Sequence, residues 1–529
     1  MALPWLRFGL VASLIFLVHQ TAAVGETDPQ YWYDRSQDEL VAALTESEGF
    51  NKNTADGMIL FIGDGMSVPT VTSVRIWKGQ KDGFTGEESK LVYDDWPHLG
   101  FSKTYNTNSQ VPDSAGTATA YLSGVKTKRR VLGLDSGITV GDCASTFGHE
   151  MDSILTMVKN NGMPVGIVTT TRITHASPGG AYSHVPERGW EDDSELTEEA
   201  KANGCKDIAR QLVEDTDIDV LMGGGRNRFR MKSQKDESGL PGSRDELDLI
   251  AAWQDKYTNK ASAEFLATRD QLLALDPDST DYLLGLYAFS EMAYDIERTA
   301  KEPSLAEMTE VAIRILKRKA QERGTRYFLF VEGGRVDHGH HFNQAKHAVT
   351  DGFALEQAIT KAKELTTSNT LMVLSSDHSH SISFAGYPKR GNPIFGKIFS
   401  DTKNYPYTTL GYYTGKNALL QVATSFKFSG HRPDITNVDT EKSNYEQQSF
   451  VATLTGAHSG EDVAIFATGP WSHLIHSVHE QNYIPHVMMF AGCVGDYFNT
   501  CRDSPYLNPR LTDEDAAVPA RFRAGLGLK

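Results

Sequence analysis

Cysteine is scarce in this chain: 529 residues contain four, Cys143, Cys205, Cys493 and Cys501. No Cys-x-x-Cys pair occurs, so a zinc site built from cysteines is not expected. An even number after a secretory start suggests two disulfides, for which three connectivities are open. Proximity in sequence favours Cys493–Cys501 and leaves Cys143–Cys205. There is no Asn-x-Ser/Thr triplet, so ordinary N-glycosylation is not expected. Positive charge is in deficit, with 52 Lys and Arg against 68 Asp and Glu, a net charge of -16. That balance argues against a nucleic-acid-binding surface, which requires a basic face. Long apolar runs are missing apart from residues 8–18, too short for the ~20 residues of a membrane span. That run follows Arg7 and precedes the small residues Thr21, Ala22, Ala23, Val24 and Gly25. The order is that of a secretory signal peptide, expected over residues 1–24 with cleavage near Ala23 to Gly25. Residues 516–529 are mixed and basic, without the apolar tail of a lipid-anchor signal, so a freely secreted extracellular protein is expected.

What remains is ordinary globular composition, 40% hydrophobic and 23% charged, which is enough for a large core. Length alone suggests about three domains at ~150 residues each. Neither repeats nor low-complexity tracts break the chain, and residues 25–529 read as one α/β unit. Residues 29–50 look like an acidic, amphipathic helical arm carrying Tyr31, Trp32, Leu40 and Leu44. Continuous apolar runs bounded by turn residues then recur at 58–62, 164–171, 218–222, 328–331, 371–375 and 463–467. Such runs suit the strands of a parallel sheet covered on both faces. Between them lie helical segments, the clearest at 305–323, where Ser304 and Glu307 make a capping box after Pro303. Alternating strands and helices predict a three-layer α/β/α sandwich around a large, mostly parallel sheet. Residues 388–450 interrupt the rhythm with Gly, Tyr, Thr and Asn and short β-type runs such as 419–422. Aromatics are too frequent there for disorder, so an inserted subdomain is expected.

The polar candidates cluster just past the strand ends, where open α/β sheets bind ligands. In residues 111–120, Pro112 and Asp113 end an extended approach and Ser114 opens a run of small residues. Ser114 would sit at a helix N-terminus, where N–H groups and the dipole favour an anion and small neighbours admit a phosphate. A capped, tightly packed surface helix is the plainer reading of that stretch alone. In residues 332–341, Asp337 and His341 are four apart, so one helical turn presents both for zinc; a solvated His-rich helix start has the same composition. Asp377-His378 follows a buried strand and is a zinc-type pair, or a structural hydrogen-bonded one. Asp64 stands at a strand end between two glycines, and His458 in a turn of small residues. Grouped by chemistry, Asp337, His341 and His458 suit one zinc with an open position, and Asp64, Asp377 and His378 a second beside Ser114. Ser177 and Glu332, with Asp64, are all-oxygen donors and suit magnesium.

Together the motifs VPDSAGTATAYLSG (111–124), FIGDGM (61–66), THASPGGAYSH (174–184), VEGGRVDHGHH (331–341), SSDHSH (375–380) and GAHSGED (456–462) resemble those of the alkaline phosphatases of animals. They occur in that family's order, from about residue 30 to about residue 505. The resemblance implies hydrolysis of small phosphate monoesters at alkaline pH by two in-line displacements. It assigns two Zn2+ and one Mg2+ to the same groups and makes Ser114 the phosphorylated nucleophile. It adds Arg188, in Pro186-Glu187-Arg188-Gly189-Trp190, as the guanidinium that clamps phosphate. His175 and His338 resemble the His/His pair of the animal enzymes, with supporting roles near magnesium and phosphate. It also implies a homodimer, with residues 29–50 as an arm embracing the partner and residues 388–450 as a crown at the interface, and it agrees with the disulfide pairing above. One departure is the missing lipid-anchor tail. Another is Tyr287-Ala288-Phe289-Ser290-Glu291, where Ala288 replaces a carboxylate expected for a fourth, calcium, site, so no such site is assigned.

Overall fold

The structure, a computed structural model, describes residues 27–45, 50–258, 262–399, 405–417 and 433–498. The expected signal peptide, the C-terminal tail, Cys501 and the β-type run at 419–422 lie outside these residues. Ten strands form the main sheet. In chain order they are β1 (Gly57–Gly63), β2 (His98–Lys103), β3 (Val165–Arg172), β4 (Val220–Gly224), β5 (Ala263–Leu266), β6 (Tyr282–Leu286), β7 (Tyr327–Gly333), β8 (Thr370–Ser375), β9 (Val463–Thr468) and β10 (Ser477–Glu480). Across the sheet they run β10-β2-β9-β8-β1-β7-β3-β4-β6-β5. All neighbours are parallel except β9, which opposes both β2 and β8.

Side chains alternate between two cores, as strand geometry requires. From β1, Met58, Leu60 and Ile62 enter one core, and Ile59 and Phe61 the other. The first core is completed by the helices Ser114–Ser123, Ile154–Asn160 and Tyr483–Gly492, the second by Val68–Lys81, Leu305–Glu322 and Ala345–Leu365. The result is a three-layer α/β/α sandwich. At the start of Leu305–Glu322, Ser304 Oγ accepts from Glu307 N (3.2 Å) and a Glu307 carboxylate oxygen accepts from Ser304 N (2.8 Å), the reciprocal box expected from the sequence.

Register builds the site. Ile62 of β1 lies beside Glu332 of β7 and Ser375 of β8, and Thr169 of β3 beside Glu332. Asp64, Glu332 and Asp377 therefore arrive at one edge of the sheet. Because β9 runs the other way, His458 reaches that edge from the strand's N-terminal side. Strand boundaries shift by one or two residues from the sequence reading, and two of the shifts have a clear physical cause. Glu332 lies inside β7, and β4 begins at Val220 and not at Ile218. A glutamate whose charge ends buried among threonines does not read as strand, and Asp219, buried just before β4, is turned to Lys159 and Lys319.

The arm forms the helix Pro29–Thr45 and packs on its own chain. Trp32 and Leu40 are fully buried, Tyr33 Oη donates to Ser123 O (3.1 Å), and Asn482 Nδ2 donates to Ser36 Oγ (2.8 Å). In the inserted region and across its two edges, Ile382–Phe384, Leu410–Gly415 and Ser449–Ala452 make a separate three-stranded sheet. Cys143 and Cys205 are joined, while the expected Cys493–Cys501 pairing falls outside the described residues.

Candidate active site

Asp113, in extended conformation, caps the helix Ser114–Ser123 by accepting from Gly116 N (3.3 Å). Ser114 is its first residue and is buried, with Oγ 3.2 Å from His378 Nε2. The run of small residues has a steric reason. A Cβ on Gly116 would stand 2.5 Å from the Asn106 amide, and that amide's oxygen accepts from Asp113 N (3.1 Å). The turn that presents Ser114 is held from outside the helix, and Ser114 stands at the positive end of the helix dipole.

Three overlapping clusters of metal-type donors surround this serine: Asp337, His341, His380 and His458; Asp64, Asp337 and His378; and Asp64, His175 and Glu332, each with donor atoms within 4.8 Å of one another. In the first, Asp337 and His341 share one face of the helix Arg335–His341 (Oδ2–Nε2, 3.2 Å). His458 Nε2 is 3.0 Å from His341 Nε2 and 3.4 Å from Asp337 Oδ1. The other nitrogens are committed: His341 Nδ1 to Gly456 O (2.6 Å) and His458 Nδ1 to Pro112 O (2.9 Å). That fixes both tautomers with bare Nε2 lone pairs facing each other, an arrangement a cation resolves. Burial opposes protonation of His341, but the Asp337 carboxylate raises it to about 9, so a proton there is the alternative to a metal.

In the second cluster, His378 Nε2 is 3.1 Å from Asp377 Oδ2 and 3.5 Å from Asp64 Oδ1. Asp377 Oδ1 accepts from Gly65 N (2.9 Å) and His378 N (2.8 Å). Both Asp64 oxygens are buried without a hydrogen-bond partner, as are Glu332 Oε1 and Ser177 Oγ. The other Glu332 oxygen accepts from Thr169 and from Thr171 Oγ1 (3.1 Å). Buried polar atoms are normally satisfied, so these orphans are positions that could hold oxygen-seeking cations. Electrostatics agree. Burial, then the charges of Asp377, Asp337 and Glu332, pushes Asp64 well above the carboxylate range. Burial pushes Glu332 up to about 7, and burial with Asp337 pushes Asp377 up to about 6.

Arg188 completes the centre. Its Nη1 is 3.2 Å from Asp113 Oδ2, its Nη2 donates to His175 Nε2 (3.0 Å), and its N donates to Arg130 O (2.8 Å). Burial, then Arg188 itself, holds His175 well below its ordinary value, consistent with a neutral ring accepting from the guanidinium. His338 lies 5.4 Å from His175 between ring centres, with Nδ1 2.6 Å from Arg335 Nη1. Burial and Arg335 lower it to about 4. In the segment where calcium was not assigned, Ala288 contributes only its carbonyl, which accepts from Arg226 N (3.1 Å), and Glu291 pairs with Arg172.

The overlapping clusters bring Asp64, Glu332, Asp337, His341, His378 and His458 together, Asp377 joins them at His378, and His378 links them to Ser114; His175 is bonded to Arg188 and His338 lies against His175. Four residues of the site carry contacts that were not expected beforehand. His380 Nε2 is 2.5 Å from Asp337 Oδ1, and its only signal is its place two residues after His378. Asp113 was legible as a cap but not as the partner of Arg188. Thr169 and Thr171, which hold Glu332, carry no sequence signal.

The family model for alkaline phosphatase matches residues 55–494. The chain is 46% identical over 487 residues to the tissue-nonspecific alkaline phosphatase of Mus musculus, covering 90% of this chain and 91% of that one. It is 45% identical over 481 residues to the alkaline phosphatase of Gadus morhua, covering 89% and 98%. The crystal structure of Thermus thermophilus alkaline phosphatase shares the fold, with a TM-score of 0.58, 20% identity and coverage of 85% and 93%. Among the described residues no helix is long and apolar enough to cross a membrane. With matches of this length and identity, the chain belongs to the alkaline phosphatase family and is a metal-dependent phosphoric monoester hydrolase.

Proposed function

We propose that hydrolysis proceeds through a phosphoserine on Ser114, with two zinc ions and one magnesium at the clusters above. Asp337, His341 and His458 would hold one zinc, and Asp64, Asp377 and His378 the other. Asp64, Ser177 and Glu332 would hold magnesium. Imidazole with carboxylate suits zinc, and an all-oxygen set that leaves room for water suits magnesium. When bound, these cations supply Lewis acidity and neutralise the charge of the transferring phosphoryl group.

The chain's own part is to bind and orient. Arg188, held by Asp113 and His175, presents its planar fork to two phosphate oxygens. Ser114 Oγ, at the helix N-terminus, meets phosphorus in line with the departing ester oxygen. The Oγ–P bond forms as the P–O bond to the alcohol breaks. Water then displaces Ser114 Oγ from the opposite direction, which releases phosphate and restores the serine. His175, bonded to Arg188, and His338, packed on His175, would support the guanidinium.

The observation that carries this reading is Asp64, whose two oxygens are completely buried and unpartnered within reach of His378 and Glu332. Turnover of an aryl phosphate at alkaline pH tests it, before and after chelation and with zinc and magnesium returned separately and together. Full recovery should require both. Recovery with zinc alone would remove magnesium from the assignment.

We further propose a secreted homodimer. Tyr387, Phe399, Tyr413, Phe450 and Leu454 are exposed in and beside the inserted region, an apolar surface of the kind a partner covers. The solution mass of the mature chain tests this.

A further inference from the structure

Residues 126–130 read Lys-Thr-Lys-Arg-Arg, four basic side chains in five, in a chain of net charge -16. Two are used internally. Lys126 is buried against Glu480, and Lys128 Nζ donates to Ile138 O (2.6 Å). Arg129 and Arg130 are left at the surface, beside the phosphate site. Arg130 N donates to Asp113 Oδ1 (2.9 Å), and Arg130 O accepts from Arg188 N (2.8 Å). Its main chain thus touches both the side chain that caps the Ser114 helix and the main chain of the arginine that meets phosphate. Arg130 has φ 73°, a left-handed conformation uncommon outside glycine. Such conformations persist where the surroundings fix them, and they gather at functional sites.

The Arg130 side chain is half exposed, and one edge of its guanidinium is taken. Nε and Nη2 bind the Glu187 carboxylate at 2.7 and 2.5 Å. Glu187 itself accepts from Gly189 N (3.0 Å), so the fork is held in a fixed plane. Nη1 makes no hydrogen bond among the described residues, so the second edge of this half-exposed fork is free for another bidentate oxyanion. Arg129 N donates to Asn108 Oδ1 (2.9 Å), and its exposed side chain makes no hydrogen bond or ion pair among the described residues.

We propose that Arg129 and Arg130 form an anion subsite on the rim of the catalytic centre, which selects phosphomonoesters whose leaving group carries a second phosphate. The inference rests on the reading of Ser114 and Arg188 as the phosphate site. The scissile phosphate sits on Arg188, and the second phosphate meets the free edge of Arg130 and the charge of Arg129. The site is open to water, so its contribution is moderate and sensitive to salt.

The test compares propyl phosphate with propane-1,3-diyl bisphosphate as substrates of the metal-loaded enzyme. Two scissile ends alone give the bisphosphate a kcat/KM ratio of two, and the subsite should raise the ratio several-fold above that. Arg129→Glu should lower the ratio about fivefold while leaving propyl phosphate turnover within about twofold. Arg130→Gln should also lower the ratio, and about 0.5 M salt should bring the unmodified enzyme close to two. A ratio unchanged in both variants would overturn the subsite. An unmodified enzyme inactive on propyl phosphate would overturn the phosphate site itself, and the subsite with it.

Discussion

Asp113 binds Arg188 at 3.2 Å through one carboxylate oxygen, while the other caps the helix that Ser114 begins. The proposed nucleophile and the proposed phosphate clamp are therefore both positioned by a single side chain. Burial works against its charge, but Arg188 and the N–H groups of Arg130 and Gly116 more than offset that, and Asp113 stays below the usual carboxylate value.

The two duties separate by substitution. Asp113→Asn keeps a good cap but loses the charge that holds Arg188. Asp113→Ala loses both, at a cost of about 1 kcal/mol for the cap. Both should raise KM for an aryl phosphate several-fold, and only the alanine variant should unfold at clearly lower temperature. Steady-state kinetics with thermal unfolding checks this.

His380 Nε2 lies 2.5 Å from Asp337 Oδ1, and its proposed role is to hold Asp337 in place. His380→Ala should weaken zinc binding by about 10-fold or more, in the range seen when a residue behind a ligand is lost. Activity should return at high zinc. Titration against a chromophoric chelator separates this from a catalytic role, in which excess zinc would not rescue.

Metal removal should change the sign of the pH dependence. In the metal-free chain, Glu332 and Asp377 have folded values of about 7 and about 6, raised by burial from ordinary values of 4.5 and 3.8. The folded state then binds more protons than the unfolded one between about pH 4 and 7, so stability falls as pH rises through that window. Zinc and magnesium compete with those protons and bind more tightly as pH rises. The gap in Tm between metal-loaded and metal-free protein should therefore widen from pH 5.5 to 8. A constant gap would mean that these carboxylates are not ligands.

The Cys143–Cys205 disulfide spans 62 residues, and closing a loop of that length restricts the unfolded chain by about 4 kcal/mol. Cys143→Ser should lower Tm with little change in KM, since neither cysteine contacts the site.

Much of this was legible in the sequence, for identifiable reasons. Asp64 and Asp377 follow apolar runs closed by turn residues, so their place at the strand ends could be read directly. Asp337 and His341 are one turn apart on a short helix, which fixes their shared face. Ser304 and Glu307 gave the start of their helix. Other features depend on partners distant in sequence. Glu332 is held by Thr169 and Thr171 only because β3 and β7 are neighbours in register. The Asp113–Arg188 pair spans 75 residues and the His380–Asp337 pair 43, and no local spacing encodes either. The outward edge of Arg130 exists because Glu187 occupies the other.

The central claim is that Ser114 carries the phosphoryl group. Acid-quenching the metal-loaded enzyme during turnover of radiolabelled substrate, then mapping the labelled peptide, tests it directly. The expected result is phosphoserine at Ser114 within residues 111–124, with label and turnover both lost in Ser114→Ala and the fold retained. Label on another residue, or full turnover by Ser114→Ala, would contradict it.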